Sequence, residues 1–123
     1  MRKIFIVDDE ALILKSLTRL LRQPDAVISP FSEPEQLLAA LKEKPDLIVS
    51  DYHLPRIDGV TVVREAKRLV PTVKTVLLSG GMEDEVIAAA IKAGDVDRFL
   101  SKPWRHEELL EAIQELLGPQ SAT

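Results

Sequence analysis

"KIFIVDDEALILKSLTRLLR", residues 3–22, changes character abruptly in its middle. The apolar run Ile4-Phe5-Ile6-Val7 reads as a short buried strand, and "EALILKSLTRLLR" carries apolar residues at helical period. Between them stand three acids, Asp8, Asp9 and Glu10. Two unit charges about 4 Å apart repel by roughly 4 kcal/mol at an effective dielectric near 20, so acids packed at a strand tip need a reason. One reason is helix capping, since Asp9 is a good N-cap residue and acids suit a first helical turn. Another is a bound cation. The strand-to-helix change itself is the first half of a βαβ unit.

That unit recurs along the chain. Apolar runs at Lys3–Val7, Ala26–Pro30, Leu47–Ser50, Thr75–Leu78 and Arg98–Leu100 alternate with "EALILKSLTRLLR", "PEQLLAALKEK", "GVTVVREAKRL", "EDEVIAAAIKAG" and "HEELLEAIQELLG". In the last of these, Leu109, Ile113 and Leu116 form an amphipathic stripe with Leu110 and Leu117, and Gly118-Pro119 stops it. Pro34 sits where a first helical residue belongs. Alternating strands and helices imply parallel pairing with right-handed crossovers, an α/β doubly wound (βα)5 domain. The first, third and fourth strands are apolar throughout, as strands covered on both faces are.

The chain of 123 residues is the size of one ordinary domain and buries about two thirds of its unfolded surface. Hydrophobic residues make up 46% and charged residues 29%, a globular composition. With 16 basic and 20 acidic residues the net charge is −4, which argues against direct nucleic-acid binding. No cysteine is present, which excludes disulfides, thiolate metal sites and cysteine nucleophiles. The start "MRKIFIVDD" has too short an apolar stretch for a signal peptide, and no stretch is long enough to span a bilayer. The expected location is cytoplasmic, with no membrane partner. Residues 1–118 are expected to form the domain, and 119–123 a disordered tail or the start of a linker.

In an open α/β sheet, ligands bind outside the carboxyl ends of the strands. The first strand ends in Asp8-Asp9, the third in Asp51, the fourth in Ser79 and the fifth in Lys102. The second ends in Pro30-Phe31 and delivers nothing reactive. Taken singly, Asp51 could open a turn, Ser79-Gly80-Gly81 could be a loop and Lys102 a solvated lysine. Their convergence on one rim is what carries chemistry. Clustered carboxylates suit a hard cation such as Mg²⁺, and a carboxylate can act as a nucleophile to form an aspartyl phosphate. Phosphoryl transfer needs positioning and charge neutralisation, which a divalent ion, an ammonium and a hydroxyl supply.

"VDDE" (7–10), "SDYHLPRIDG" (50–59), "LLSGG" (77–81) and "FLSKPW" (99–104), in this order, resemble the response-regulator receiver domains of two-component signalling, in their Lys-Pro-Trp form. The resemblance covers essentially the whole chain. It implies a flavodoxin-like sheet of order 2-1-3-4-5 and phosphorylation at Asp51 by a histidine kinase, a phosphotransfer protein or a small acyl phosphate. It implies Mg²⁺, for which Mn²⁺ could substitute, held by Asp9, Asp51 and the main-chain carbonyl of His53, with Asp8 acting through water. Lys102 would pair with the phosphoryl group, the Lys102–Pro103 bond would be cis, and Ser79 with Phe99 would form the switch. Such a domain is no enzyme beyond its own phosphorylation and dephosphorylation. It serves an output domain or partner protein, and a weak homodimer would use the face of the fourth helix, fifth strand and last helix.

Phe99 stands where tyrosine is common, so the switch has no hydroxyl to present. Ser79 and Lys102 are 23 positions apart, one more than in many receivers, and the extra residue is placed in "AGDVDRF". Trp104 replaces the more usual phenylalanine and reads as an apolar cap under the last helix. The Lys-Pro-Trp form resembles receivers attached to HD-GYP phosphodiesterases, histidine kinases or DNA-binding regulators. The side chain of His53 is expected to affect water access rather than to ligate metal. His106 is expected to be solvated, since two isolated histidines make a poor zinc site. Two other readings remain open: a receiver-like binding module that is not phosphorylated, and a haloacid-dehalogenase-type phosphohydrolase. The latter needs Asp-x-Asp after the first strand, against Asp8-x-Glu10 here, and leaves Asp51 without a role. No G-x-G-x-x-G or G-x-x-x-x-G-K-[ST] supports a nucleotide site.

Overall fold

In the computed structural model, which describes residues 2–80 and 84–118, the buried apolar runs become the central strands of one sheet. The elements alternate as β1 (Arg2–Val7), α1 (Ala11–Leu21), β2 (Ala26–Phe31), α2 (Pro34–Ala39), β3 (Leu47–Asp51), α3 (Gly59–Leu69), β4 (Lys74–Ser79), α4 (Asp84–Lys92), β5 (Arg98–Ser101) and α5 (His106–Leu117). All pairings are parallel, in the order β2-β1-β3-β4-β5. This is the flavodoxin-like arrangement that the resemblance implies. Gly81, Pro119 and the tail 119–123 lie outside the described residues, as does the start of "EDEVIAAAIKAG".

Period-two alternation sorts the strand residues onto two faces. Ile4, Ile6, Leu47, Val49, Val76 and Leu78 meet Leu17 and Leu21 of α1 and Leu109 and Ile113 of α5. Phe5, Val7 and Ile48 meet Leu37 of α2 and Val62 and Ala66 of α3, while Leu77 meets Ile87 and Ala90 of α4. Burying such a side chain fully contributes about 1.5–3 kcal/mol each, which is why the buried positions of β1, β3 and β4 are apolar apart from Ser50, Asp51, Thr75 and Ser79. β2 is an edge strand and only partly covered; Pro30 suits that place because it has no N–H to pair.

Two expectations are corrected. The segment 34–44 is not one helix: α2 ends at Ala39, and Leu41–Glu43 form a 3₁₀ turn that stops at Lys44 in the left-handed region, φ 54°. Pro45 disfavours a helical residue before it, and a tightened last turn is a common way to end a helix. Nor does Asp9 cap α1. The N-cap is Glu10, without a side-chain capping bond, and it is the Asp8 carboxylate that accepts the Glu10 N–H at 2.8 Å. No helix among the described residues is long and apolar enough to cross a membrane.

Candidate functional site

Strand register brings the reactive residues to one edge. Asp8 follows β1 and is held by its N–H donating to Phe31 O at 3.2 Å, so it is carried to the depth of the β2 terminus. Asp51 is the last residue of β3 and lies opposite Leu78, and Tyr52 N–H donates to Leu78 O at 2.7 Å. Ser79 ends β4 opposite Ser101, and Lys102 N–H donates to Ser79 O at 2.7 Å, which sets the start of the β5–α5 loop. The Lys102–Pro103 bond in that loop is cis.

Asp8 is 1% exposed, Asp51 4% and Ser79 fully buried, whereas Asp9 faces solvent. The carboxylates of Asp8, Asp9 and Asp51 offer oxygens that all lie within 4.8 Å of one another. Asp51 Oδ1 forms an ion pair with Lys102 Nζ at 2.7 Å. Asp8 Oδ1 is taken by the Glu10 N–H, but Asp8 Oδ2 is buried with no hydrogen-bond partner. A buried acceptor of that kind calls for a ligand, because leaving one unmade costs about 1–3 kcal/mol.

The electrostatics follow from this packing. Burial pushes the Asp8 carboxyl up from 3.8 to about 6; Asp51 and Asp9 add to the rise, against the Glu10 N–H and Lys102. Burial works against the Lys102 ammonium, yet Asp51, with Asp8 and Glu10 behind it, holds its pKa above the ordinary lysine value. One ammonium thus faces three carboxylates. The surplus of negative charge, the short oxygen spacing and the orphaned Asp8 Oδ2 fit a hard divalent cation of the Mg²⁺ class. Asp9, open to solvent, leaves that position accessible.

Of the other expected residues, Phe99 is half-buried on β5 and packs with Tyr52 against Val60, Val63, Leu77 and Ile87. His53 is exposed, its ring edge-on to Tyr52 with centroids 5.0 Å apart. His106 is exposed at the start of α5, as expected. Trp104 is half-buried against the α1–α5 side of the core, and its ring also lies 6.0 Å from Lys102 Nζ, at the outer limit of a cation–π contact. Reading Trp104 as an apolar cap therefore described only part of its role.

Gly59 is the residue the sequence did not single out. A Cβ there would sit 2.3 Å from the Asp51 carbonyl oxygen, 2.8 Å from Leu77 Cδ1 and 2.9 Å from Tyr52 Cα. Only glycine lets the first turn of α3 press against the exit of β3, where its N–H donates to Tyr52 O at 2.8 Å. Its signal was its place in "IDG", just after Asp58, whose carboxylate caps α3 by accepting the Thr61 N–H at 2.8 Å.

Comparison with known proteins agrees with this geometry. Residues 4–114 match the family model of the response regulator receiver domain. The chain is 33% identical to the response regulator protein TodT of Pseudomonas putida over 115 residues, 93% of this chain and 50% of that protein. It is 30% identical to the chemotaxis protein CheY of Bacillus subtilis over 118 residues, 94% of this chain and 98% of CheY. Among solved structures, the signal receiver domain of an HD domain-containing protein from Pseudomonas fluorescens superposes with a TM-score of 0.85 at 34% identity, covering 94% of this chain and 86% of that one. The chain spans about half the length of TodT and of several other regulators it matches. By fold, by the residues at its carboxyl edge and by sequence, the chain belongs to the response regulator receiver domain family.

Proposed function

We propose that this chain is a phospho-acceptor signalling module that takes a phosphoryl group onto Asp51. The donor is the phosphohistidine of a histidine kinase or phosphotransfer protein, or a small acyl phosphate. The observation that carries the reading is the Lys102 ammonium 2.7 Å from a buried Asp51 that has two further carboxylates beside it. That the ion pair falls on Asp51, and not on Asp8, favours this chemistry over a first-strand nucleophile of the haloacid-dehalogenase kind.

An Asp51 carboxylate oxygen attacks phosphorus. The new O–P bond forms as the P–N bond to the donor imidazole breaks, and the imidazole leaves with the electron pair. Lys102 moves its charge from Asp51 to the oxygens of the transferred group, and the Ser79 hydroxyl donates to another. The sparse exposure of Asp51 limits the approach of water to the acyl phosphate. Mg²⁺, or Mn²⁺ in its place, would be held by Asp8, Asp9, Asp51 and the main-chain carbonyl of His53, and it supplies neutralisation of the charge on the phosphoryl oxygens. The chain catalyses only its own phosphorylation and dephosphorylation.

Phosphorylation biases an existing equilibrium rather than creating a new state. Ser79 and Phe99 are the elements through which the bias reaches the surface, with burial of the Phe99 ring as the readout in place of a tyrosine hydroxyl. The surface they feed is the α4-β5-α5 face; α4 itself exposes the apolar residues Val86 and Ile91. That face serves an output domain or partner protein in the cytoplasm and supports at most a weak homodimer before phosphorylation.

The test is intact mass after incubation with acetyl phosphate, with and without Mg²⁺, on wild type and Asp51→Asn. The expected result is a Mg²⁺-dependent gain of one phosphoryl group that the variant lacks. No gain with any donor, a cognate kinase included, would turn the reading to a binding module that keeps the fold without the chemistry.

A further inference from the structure

The loop that leaves the acceptor strand carries a backbone strain that the chemistry at Asp51 does not by itself explain. It is closed at its base by the Gly59 N–H to Tyr52 O bond. Further along, Arg56 holds φ at 71°, in the left-handed region, and Ile57 N–H donates to Pro55 O at 2.8 Å. An i to i+2 hydrogen bond across a residue of positive φ is the rare, strained form of γ-turn. The turn lets Leu54 and Ile57 both pack on the α2–α3 side of the core while Arg56 points outward. A non-glycine residue stays in such a conformation only where its surroundings over-determine it.

Those surroundings are two acids at the start of α2. Arg56 Nε and Nη2 meet the Glu35 carboxylate at 2.6 and 2.9 Å, fork to fork, and Nη2 also meets Glu33 at 3.1 Å. Glu33 is the N-cap of α2 and Glu35 lies in its first turn, and the helix is seated in the core through Pro34 and Leu37. The clamp therefore ties the loop after Asp51 to the seated first turn of α2. Arg56 holds the Glu35 carboxyl down at about 2, so the pair is ionised throughout the working pH range. All three side chains are roughly half exposed, which leaves the clamp open to salt.

We infer that Arg56 is a positioning residue for the cation and phosphoryl site: by gripping Glu33 and Glu35 it holds the strained turn, and with it the backbone at His53, beside Asp51. The inference rests on the reading of Asp51 and the His53 carbonyl given above. It assigns the start of α2 a part in metal affinity although Glu33 and Glu35 are not among the residues that would hold the metal.

The experiment measures Mn²⁺ affinity by calorimetry, and phosphoryl uptake from acetyl phosphate at limiting and saturating Mg²⁺, on the full chain. The variants are Arg56→Ala, Arg56→Gly and the double change Glu33→Gln with Glu35→Gln, each with urea unfolding alongside. Alanine removes the clamp and still resists a positive φ, whereas glycine removes the clamp and accepts that φ freely. Mn²⁺ affinity is expected to fall about fivefold in Arg56→Ala and in the double variant, the size that exposed ion pairs of good geometry allow. Arg56→Gly is expected to recover at least half of that loss. Uptake should be slow at limiting Mg²⁺ in the weakened variants and return to the wild-type rate at saturation. Unchanged affinity in all variants, or equal losses for Arg56→Ala and Arg56→Gly, would overturn the inference alone. A wild type that neither binds Mn²⁺ nor takes up phosphoryl would overturn the site reading and this inference with it.

Discussion

The two edges of the sheet treat their acids in opposite ways. At the amino edge, Asp97 accepts from the Thr75 N–H at 2.9 Å and pairs with Lys67 at 2.8 Å, while its own N–H donates to the Thr75 hydroxyl at 3.1 Å. Asp46 there accepts from the Lys3 N–H at 2.8 Å. These carboxylates are supplied with donors from the chain, and they stitch α3, β4 and β5, or β1 and β3, together. At the carboxyl edge, one lysine faces three carboxylates and a buried oxygen of Asp8 has no hydrogen-bond partner. A fold that supplies its acids with donors at one end and leaves them in surplus at the other has given up stability at the second end, the pattern expected of a functional site.

The comparison breaks most visibly at the supports. Gly59→Ala drives a methyl into the Asp51 carbonyl, which cannot retreat without moving Asp51 itself. We expect a cost of more than about 3 kcal/mol by urea unfolding, with impaired phosphoryl uptake in the protein that remains folded. Asp97→Ala strands Lys67 and the Thr75 N–H, both largely buried, and should cost about 2.5 kcal/mol while leaving phosphoryl uptake per folded molecule intact. Loss of uptake in Asp97→Ala would erase the distinction between the edges.

At the other edge the sign reverses. Asp8→Asn removes a charge that burial and two neighbouring acids disfavour, so the metal-free protein should gain about 2 kcal/mol at pH 7. The pH dependence sharpens this. The folded Asp8 carboxyl keeps its proton up to about 6, and the unfolded one releases it near 3.8, so the folded state binds more protons in between. Stability of the metal-free wild type therefore falls as pH rises from about 4 to about 6, and Asp8→Asn lacks that decline. Glu35 acts in the opposite sense, since Arg56 holds its carboxyl down at about 2, but its stabilisation is lost only as pH falls below about 4.5. Mg²⁺ requires the ionised carboxylate, so its affinity should rise across the same interval in which the metal-free protein weakens. The smallest effect concerns the α4-β5-α5 face: light scattering on unphosphorylated protein should give a monomer, and a salt-resistant dimer would contradict the weak association expected there.

How much of this was legible in the sequence depended on how local each cause is. β1, β3 and β4 announce themselves because strands buried on both faces read as near-continuous apolar runs, and the chain order of strands and helices fixes their parallel pairing. The extent of α2 was not legible, since "PEQLLAALKEK" has helical period throughout and only Pro45 hints at the tightened end. That Asp9 does not cap α1 was not legible either: the cap position falls on Glu10, whose N–H is taken by the buried Asp8 carboxylate, a tertiary fact. That Asp8, Asp9, Asp51 and Lys102 would gather at one edge was legible because strand ends are where an α/β sheet displays its polar residues. Gly59 was visible only as the end of the "IDG" motif, since its reason is a backbone approach across the fold, and the Arg56 clamp was not visible at all, because its partners lie 21 and 23 positions away.

The central claim is that the surplus of acid at the carboxyl edge exists for a cation that makes Asp51 a phosphoryl acceptor. Its most direct test is a Mg²⁺ titration at pH 7, followed by calorimetry, on wild type, Asp8→Asn and Asp97→Ala. The account predicts one saturable site in wild type, retained in Asp97→Ala and weakened at least about tenfold in Asp8→Asn, the loss expected when an acid that helps hold a metal is removed. Equal affinities in wild type and Asp8→Asn, or no saturable site in wild type, would contradict it.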